Sequence, residues 1–355
     1  MRKAALLSRV FVLVSLAALM PAQAAGPNLA SCTESKPLNF GQVRVVEQLA
    51  GAMPAACLRQ ANIVVSQAAN ATFIEAQCGE FIELDHVKFF EGSSDFPAQL
   101  VRKAAAAVAV LRMSDDLEAR FPPPNASPGN WAGKPLCSGA LISRDLMLTA
   151  AHCFDRFPAG GVHMPMRPTS TGLRPVSHAE IARNMVASFG FELNENCGCG
   201  VEREFPVREL VLRMDGEFGG SRISEGDYAV IRLGRDSAGK LPGDVAGIGR
   251  LDLAAHSPGP GAPIAIVQHP RGLMKRVGLG IIDRENGGRI NYRRLDTFGG
   301  TSGAPILDVR GRIAGIHTNG GCELRDRATG MPIGNVGLTV GAFGTRVAKI
   351  LEELR

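Results

Sequence analysis

An all-β architecture of short strands, a sandwich or a barrel, is what the chain from about residue 104 onward predicts. Two observations carry that expectation. Short apolar runs recur along this region, and Gly- and Pro-rich turn signals separate them, in a chain that holds 42 glycines and 22 prolines overall. Each part of the chain can be read in order from there.

Met1-Arg2-Lys3 begins a basic stretch that runs to Arg9. An apolar segment from Val10 to Met20 and the small-residue site Ala22-Gln23-Ala24 come next. This is the pattern of a secretory signal peptide over residues 1–24. The apolar segment falls short of the roughly 20 residues that span a bilayer, and no later stretch is apolar for long enough. A secreted or periplasmic chain, with no membrane segment after signal removal, is therefore expected. Arg2, Lys3 and Arg9 would leave with the signal, lowering the formal net charge from +5 by three to +2. The remaining Lys and Arg residues are scattered, with isolated pairs such as Lys275-Arg276 and Arg293-Arg294, so no nucleic-acid partner is expected.

Residues 25–98 differ from the rest of the chain. They hold Cys32, Cys57 and Cys78 and mixed apolar patterns over 43–49 and 63–82, and they show neither an internal repeat nor a cluster of reactive residues. An N-terminal extension or pro-segment is expected there, with one domain over 99–355 after it. All eight cysteines lie beyond the expected cleavage site, and an even number in an exported chain favours disulfides. Cys197-Gly198-Cys199 stands without a second pair at zinc spacing, so it reads as a disulfide at a hairpin tip and no metal site is expected.

Strands are expected at 107–111, from 141 onward, and at 185–193, 205–212, 227–233, 262–267, 277–282, 304–308 and 312–317. Near the C-terminus, apolar residues at 347, 350, 351 and 354 have helical spacing. The apolar run 140–148 ends at Thr149-Ala150-Ala151-His152-Cys153, and Asp227 heads the run Tyr228-Ala229-Val230-Ile231. Further on stands Leu295-Asp296-Thr297-Phe298-Gly299-Gly300-Thr301-Ser302-Gly303-Ala304-Pro305. A serine hydroxyl is a poor nucleophile unless a base stands beside it and N–H donors face the charge it creates. Glycine at 299, 300 and 303 lets the backbone turn sharply enough for the N–H groups of Gly300 and Ser302 to point into one cavity, an oxyanion hole.

The order His152, Asp227, Ser302, together with Cys137-Ser138-Gly139-Ala140-Leu141-Ile142 before the histidine, resembles the trypsin/chymotrypsin-like serine peptidases. The resemblance covers roughly residue 104 to the C-terminus. It implies two packed six-stranded antiparallel β-barrels with a C-terminal helix, His152 and Asp227 on the first barrel and Ser302 on the second. It also implies that Cys137 pairs with Cys153, that the partner is a protein or peptide substrate, and that no cofactor is needed. By the same resemblance Ser302 attacks the scissile carbonyl, His152 carries the proton and Asp227 orients His152. Two other uses of the fold stay open at this point, a catalytically silent binding homologue and an esterase. Thr301 stands where trypsin-like zymogens carry the aspartate that pairs with a new N-terminus, so that activation switch is absent.

Within that family, Asp-Thr-x-Gly-Gly-x-Ser-Gly-x-Pro and Ile316-His317-Thr318-Asn319-Gly320 resemble the bacterial glutamyl endopeptidases. This implies that Thr297 and His317 receive a glutamate side chain. Asp296 stands against that reading. It lies six residues before Ser302, where trypsin-like enzymes carry the aspartate that selects Arg or Lys. His269-Pro270-Arg271-Gly272 echoes the same bacterial branch and is expected to be a structural turn.

Overall fold

The computed structural model describes residues 84–121, 135–155, 166–194, 200–214, 226–322 and 334–354. The expected signal peptide, most of the extension, and Cys197 and Cys199 lie outside the described residues. The first elements are a short strand, Asp85–His86 (β1), and a helix, Ala98–Ala105 (α1).

Barrel one is built from Val108–Met113 (β2), Pro135–Leu141 (β3) and Leu146–Thr149 (β4). A two-stranded hairpin, Met166–Thr169 (β5) with Gly172–Pro175 (β6), interrupts it, and the short helix His178–Arg183 (α2) comes after the hairpin. Met185–Phe189 (β7), Arg203–Met214 (β8) and Tyr228–Leu233 (β9) complete it. The strands run in the order β2-β3-β4-β9-β8-β7 and close through antiparallel pairing of β2 with β7. Leu111, Met147, Phe189, Phe205 and Ile231 fill its interior.

Barrel two comprises Pro263–Gln268 (β10), Arg276–Asn286 (β11), Arg289–Arg293 (β12), Pro305–Leu307 (β13), Ile313–Asn319 (β14) and Asn335–Thr339 (β15). They run β11-β10-β13-β14-β15-β12, and antiparallel pairing of β11 with β12 closes the ring. The molecule therefore consists of two closed six-stranded antiparallel barrels, as expected. Closure leaves neither barrel with a long unpaired edge. Ile264, Ile266, Ile290, Tyr292 and Ile306 form the second interior.

A third apolar cluster joins the barrels, bringing Val108, Leu148 and Val230 together with Val267, Val277 and Ile313. The last helix, Val340–Glu353 (α3), seals it with Phe343 and Val347. This helix starts earlier than the spacing at 347–354 implies, because Val340 and Phe343 also pack inward, the latter with its ring 5.6 Å from that of Tyr228.

The segment before α1 packs against the second barrel. Asp85 and His86 pair with Val277 and Arg276 of β11, and Leu84, Val87, Phe90 and Phe96 are buried. These residues precede the 98/99 boundary expected from the sequence.

Candidate active site

His152 lies on a single 3₁₀ turn, Ala151–Phe154, at the end of β4. Cys137 of β3 is joined to Cys153 by a disulfide, their Cα atoms 6.2 Å apart, which ties this turn to the neighbouring strand. Cys322 is disulfide-bonded as well. Cys137, His152 and Cys153 cluster at metal-ligand spacing, but the two sulfurs are joined to each other, so no thiolate is available there.

Asp227 faces His152 from the head of β9. The imidazole Nδ1 lies 3.0 Å from one carboxylate oxygen and 2.9 Å from the other. The first oxygen also accepts the His152 backbone N–H at 2.9 Å. A carboxylate on Nδ1 fixes the tautomer with Nδ1–H donating, which leaves Nε2 with its lone pair. Asp227 reaches this position with φ of 75°, a left-handed conformation that Asp tolerates better than most residues.

A second carboxylate lies under the same turn. Asp155 pairs with Arg213 of β8, whose Nε donates to the Ala151 carbonyl at 3.2 Å. Burial raises the Asp155 pKa, while the charges of Arg213 and His152 oppose that rise.

The loop carrying Ser302 crosses from β12 to β13 and meets barrel one at Ser138 of β3. Ser138 N–H donates to the Ser302 carbonyl at 2.8 Å. The Ser138 carbonyl accepts from Thr149 Oγ1 at 2.7 Å, so Ser302 and the approach to His152 share one neighbour. Gly303 shows how tight the contact is. With φ of +81°, a Cβ there would stand 2.5 Å from Ser138 O and 2.6 Å from Ala150 N. Thr301 is wholly buried, donates to Gln268 Oε1 and accepts the Phe298 N–H at 3.1 Å. The Gln268 amide in turn donates to the Asp296 carbonyl at 3.0 Å. These contacts of Thr301 and Gln268 are thus hydrogen bonds between neutral groups.

A family model described as a trypsin-like peptidase domain matches residues 137–316, half of the chain, and spans His152, Asp227 and Ser302. The chain belongs to this family. A solved structure of a Glu endopeptidase in complex with MPD is similar at 16% identity and TM-score 0.44, over 77% of this chain and 100% of that one. No curated protein matched the sequence.

Elsewhere in the peptidase, the expected pocket residues are all buried. The His317 ring, on β14, meets the Tyr292 hydroxyl at Nδ1, the two side chains coming from strands that flank β15. His317 Nε2 and Thr297 Oγ1 are buried and meet no hydrogen-bond partner among the described residues. Burial, reinforced by the charge of His152, lowers the His317 pKa to about 3, so the ring is neutral at physiological pH. Asp296 is also buried, in the loop with Thr297.

His269 occupies the expected turn, Pro270–Gly272. Its Nδ1 lies 3.0 Å from the Leu273 carbonyl, its ring stacks on Phe191, and burial lowers its pKa to about 3. Sequence reasoning did not single out Tyr292, Ser138, Gln268, Asp155 or Arg213 for the site. Tyr292 lies where no strand was expected and Arg213 just beyond the run expected at 205–212, and no local motif marks their long-range partners.

Proposed function

We propose that this peptidase is a serine endopeptidase in which Ser302, His152 and Asp227 act together through an acyl-enzyme. The observation that supports this most directly is the double contact of His152 Nδ1 with the Asp227 carboxylate, on the barrel face where the Ser302 loop docks. His152 Nε2 takes the Ser302 proton as the hydroxyl oxygen attacks the scissile carbonyl carbon. It returns that proton to the leaving amine, and Asp227 stabilises the imidazolium throughout. Water then attacks the acyl-enzyme carbonyl, losing a proton to His152, which passes it to the departing Ser302 oxygen as the new carboxylate is released. The N–H groups of Gly300 and Ser302 receive the oxyanion.

Cleavage after glutamate is the specificity we assign. Thr297 Oγ1 and His317 Nε2 are buried polar atoms awaiting a partner, and a substrate carboxylate would accept from both. In this reading the Tyr292 hydroxyl donates to Nδ1, which keeps the His317 proton on Nε2 as a donor for the substrate carboxylate. The rival reading assigns the pocket to Asp296 and cleavage to Arg or Lys.

The peptidase acts on protein or peptide substrates after export, directed by residues 1–24. Oxidising conditions outside the cytosol suit the Cys137–Cys153 bridge. Residues 84–98 remain with the catalytic unit in this reading, and any processed segment ends before them.

The test is a fluorophosphonate probe with Ser302→Ala beside the unaltered protein. Labelling at Ser302 and a turnover loss of roughly 10⁴- to 10⁶-fold in the variant are expected. Undiminished hydrolysis by Ser302→Ala refutes the assignment. For specificity, His317→Ala should depress cleavage after Glu by about 10- to 150-fold relative to an uncharged residue, the worth of a charge-assisted hydrogen bond. If Asp296→Ala instead abolishes cleavage after Arg, the rival pocket is correct.

A further inference from the structure

Four successive carbonyls of the nucleophile loop are each tied down. Gly299 O accepts from the Arg271 N–H, Gly300 O from Ser138 Oγ at 2.8 Å, Thr301 O from the Ala304 N–H at 2.8 Å, and Ser302 O from the Ser138 N–H at 2.8 Å. Across a trans peptide the C=O and N–H point in opposite directions, so anchoring a carbonyl also aims the next residue's N–H. The N–H groups of Thr301, Gly303 and Ala304 are used in hydrogen bonds inside the loop or to β14, whereas those of Gly300 and Ser302 meet no partner among the described residues. Two donors are thus held open while their neighbours are closed.

Ser138 is the junction of this arrangement. Its hydroxyl accepts the His269 N–H at 3.0 Å and passes its own hydrogen to Gly300 O, while its N–H holds Ser302 O. It is wholly buried, so water offers no substitute partner. The turn it braces also fits closely under Gly300. With φ of +96°, a Cβ at Gly300 would stand 2.6 Å from His269 O and 2.8 Å from Gly272 N. One hydroxyl therefore links β3, the His269–Gly272 turn and the peptide after Gly300.

We propose that Ser138 is a positioning residue: it anchors the Gly300–Thr301 and Ser302–Gly303 peptides, which adjoin the two peptides bearing the Gly300 and Ser302 N–H donors, and so keeps those donors in register for the developing oxyanion. The proposal rests on the serine-peptidase reading above. A Ser138→Ala variant frees Gly300 O and the His269 N–H, so the Gly300–Thr301 peptide can turn and draw the adjoining Gly299–Gly300 and Thr301–Ser302 peptides, with their donors, away from the oxyanion. Substrate binding elsewhere in the cleft is untouched. The loss falls on the transition state and not on the ground state.

The experiment compares Ser138→Ala with the unaltered protein on the best-cleaved peptide from a mixed library. It also measures the affinity of the matching peptide aldehyde, whose adduct with serine carries the tetrahedral oxygen, and of the peptide alcohol, which has no carbonyl. Expected is a fall in kcat of roughly 10- to 100-fold, below the loss caused by deleting a donor outright. KM should stay within about twofold, aldehyde affinity should drop in step with kcat, and alcohol affinity should not change. A folded Ser138→Ala with unaltered kcat overturns the proposal. So does a loss shared by KM and alcohol affinity, which marks a general packing defect. Should Ser138→Ala fail to fold, Ser138→Cys, near in size and a weak donor, is read in the same way with a smaller expected loss. Absence of probe labelling at Ser302 in the unaltered protein would refute the serine-peptidase reading instead.

Discussion

Asp227 at φ of 75° and Gly303 at φ of +81° place two unusual backbone conformations on either side of the His152 turn. Glycine takes such a φ without strain, whereas at Asp227 it persists because surrounding contacts, the hydrogen bonds to His152 among them, over-determine it. Gly303→Ala should be severe. Its methyl would meet Ser138 O and Ala150 N at 2.5 and 2.6 Å, both backbone atoms that cannot yield without moving β3 or the approach to His152. A loss of activity with a melting temperature lowered by several degrees is expected, and calorimetry beside a peptide assay checks it. A near-normal Gly303→Ala would mean that the loop and the turn are looser than their geometry implies. Tyr292→Phe is a gentler probe. It frees the His317 tautomer without altering the ring's packing, so discrimination between Glu and Gln peptides should weaken while cleavage after uncharged residues stays the same. Unchanged Glu/Gln selectivity would separate Tyr292 from the pocket.

At the scale of elements, Thr301 sits in a network of neutral hydrogen bonds. Thr301→Asp would put a carboxylate, with no new N-terminus to pair with, against Gln268 Oε1 in a site that water does not reach. A buried unpaired charge costs about 3–5 kcal/mol, so this variant should lose a large part of its stability in urea titration. Retained stability would show that a cation does reach the site. The elements themselves were largely legible beforehand. Runs such as 262–267 and 312–317 became β10 and β14 because nearly every residue in them is apolar and buried. Strands β12 and β15 were not expected: Arg289–Arg293 does alternate polar with apolar residues as a half-buried strand does, but over only five residues, and Asn335–Thr339 is as short and contains glycine. The early turns of α3 were missed for a related reason. Gly341 and Gly344 weaken the helical signal that Val340 and Phe343 supply by packing. Within the candidate site, His152, Asp227 and Ser302 stand in short local motifs, whereas Ser138–Gly300 and Tyr292–His317 are contacts between distant segments that only the closed barrels create.

For the whole molecule, the two barrels, α3 and residues 84–98 bury one continuous set of contacts. Lys275, at the mouth of β11, lies 2.9 Å from Glu192 of barrel one and donates to Ala105 O of α1 at 2.8 Å, all within the interior. Removing residues 1–98 would expose partners of Leu84, Val87, Phe90 and Phe96. At about 1.5–3 kcal/mol per buried apolar side chain, the loss is on the order of a domain's entire stability, whereas removal of 1–83 spares all four. Soluble yield and melting temperature of the two truncations decide between them, and a stable 99–355 fragment would contradict this account. The buried histidines set a further limit. His86 is lowered to about 2 by burial and by the neighbouring Arg276, and His269 and His317 to about 3 by burial with the charges of Lys275 and His152 respectively. Each is neutral in the folded state but takes a proton near pH 6.5 once unfolded. Between these values the unfolded chain binds more protons, so stability rises with pH there and is lost as pH falls below about 6.5. Each site contributes up to about 1.4 kcal/mol per pH unit, so three together give about 4 kcal/mol per unit once all are engaged. Asp85 and Asp155, raised by burial, act in the opposite sense, but only across the carboxylate range. The melting temperature should therefore fall steeply between pH 6.5 and 4. His86→Leu, which replaces a ring whose two nitrogens meet no partner among the described residues and which pairs with β11 outside the proposed catalytic set, should flatten that slope by about one third at unchanged activity near neutrality. A variant with the same acid slope as the unaltered protein would show that His86 does not contribute to acid sensitivity.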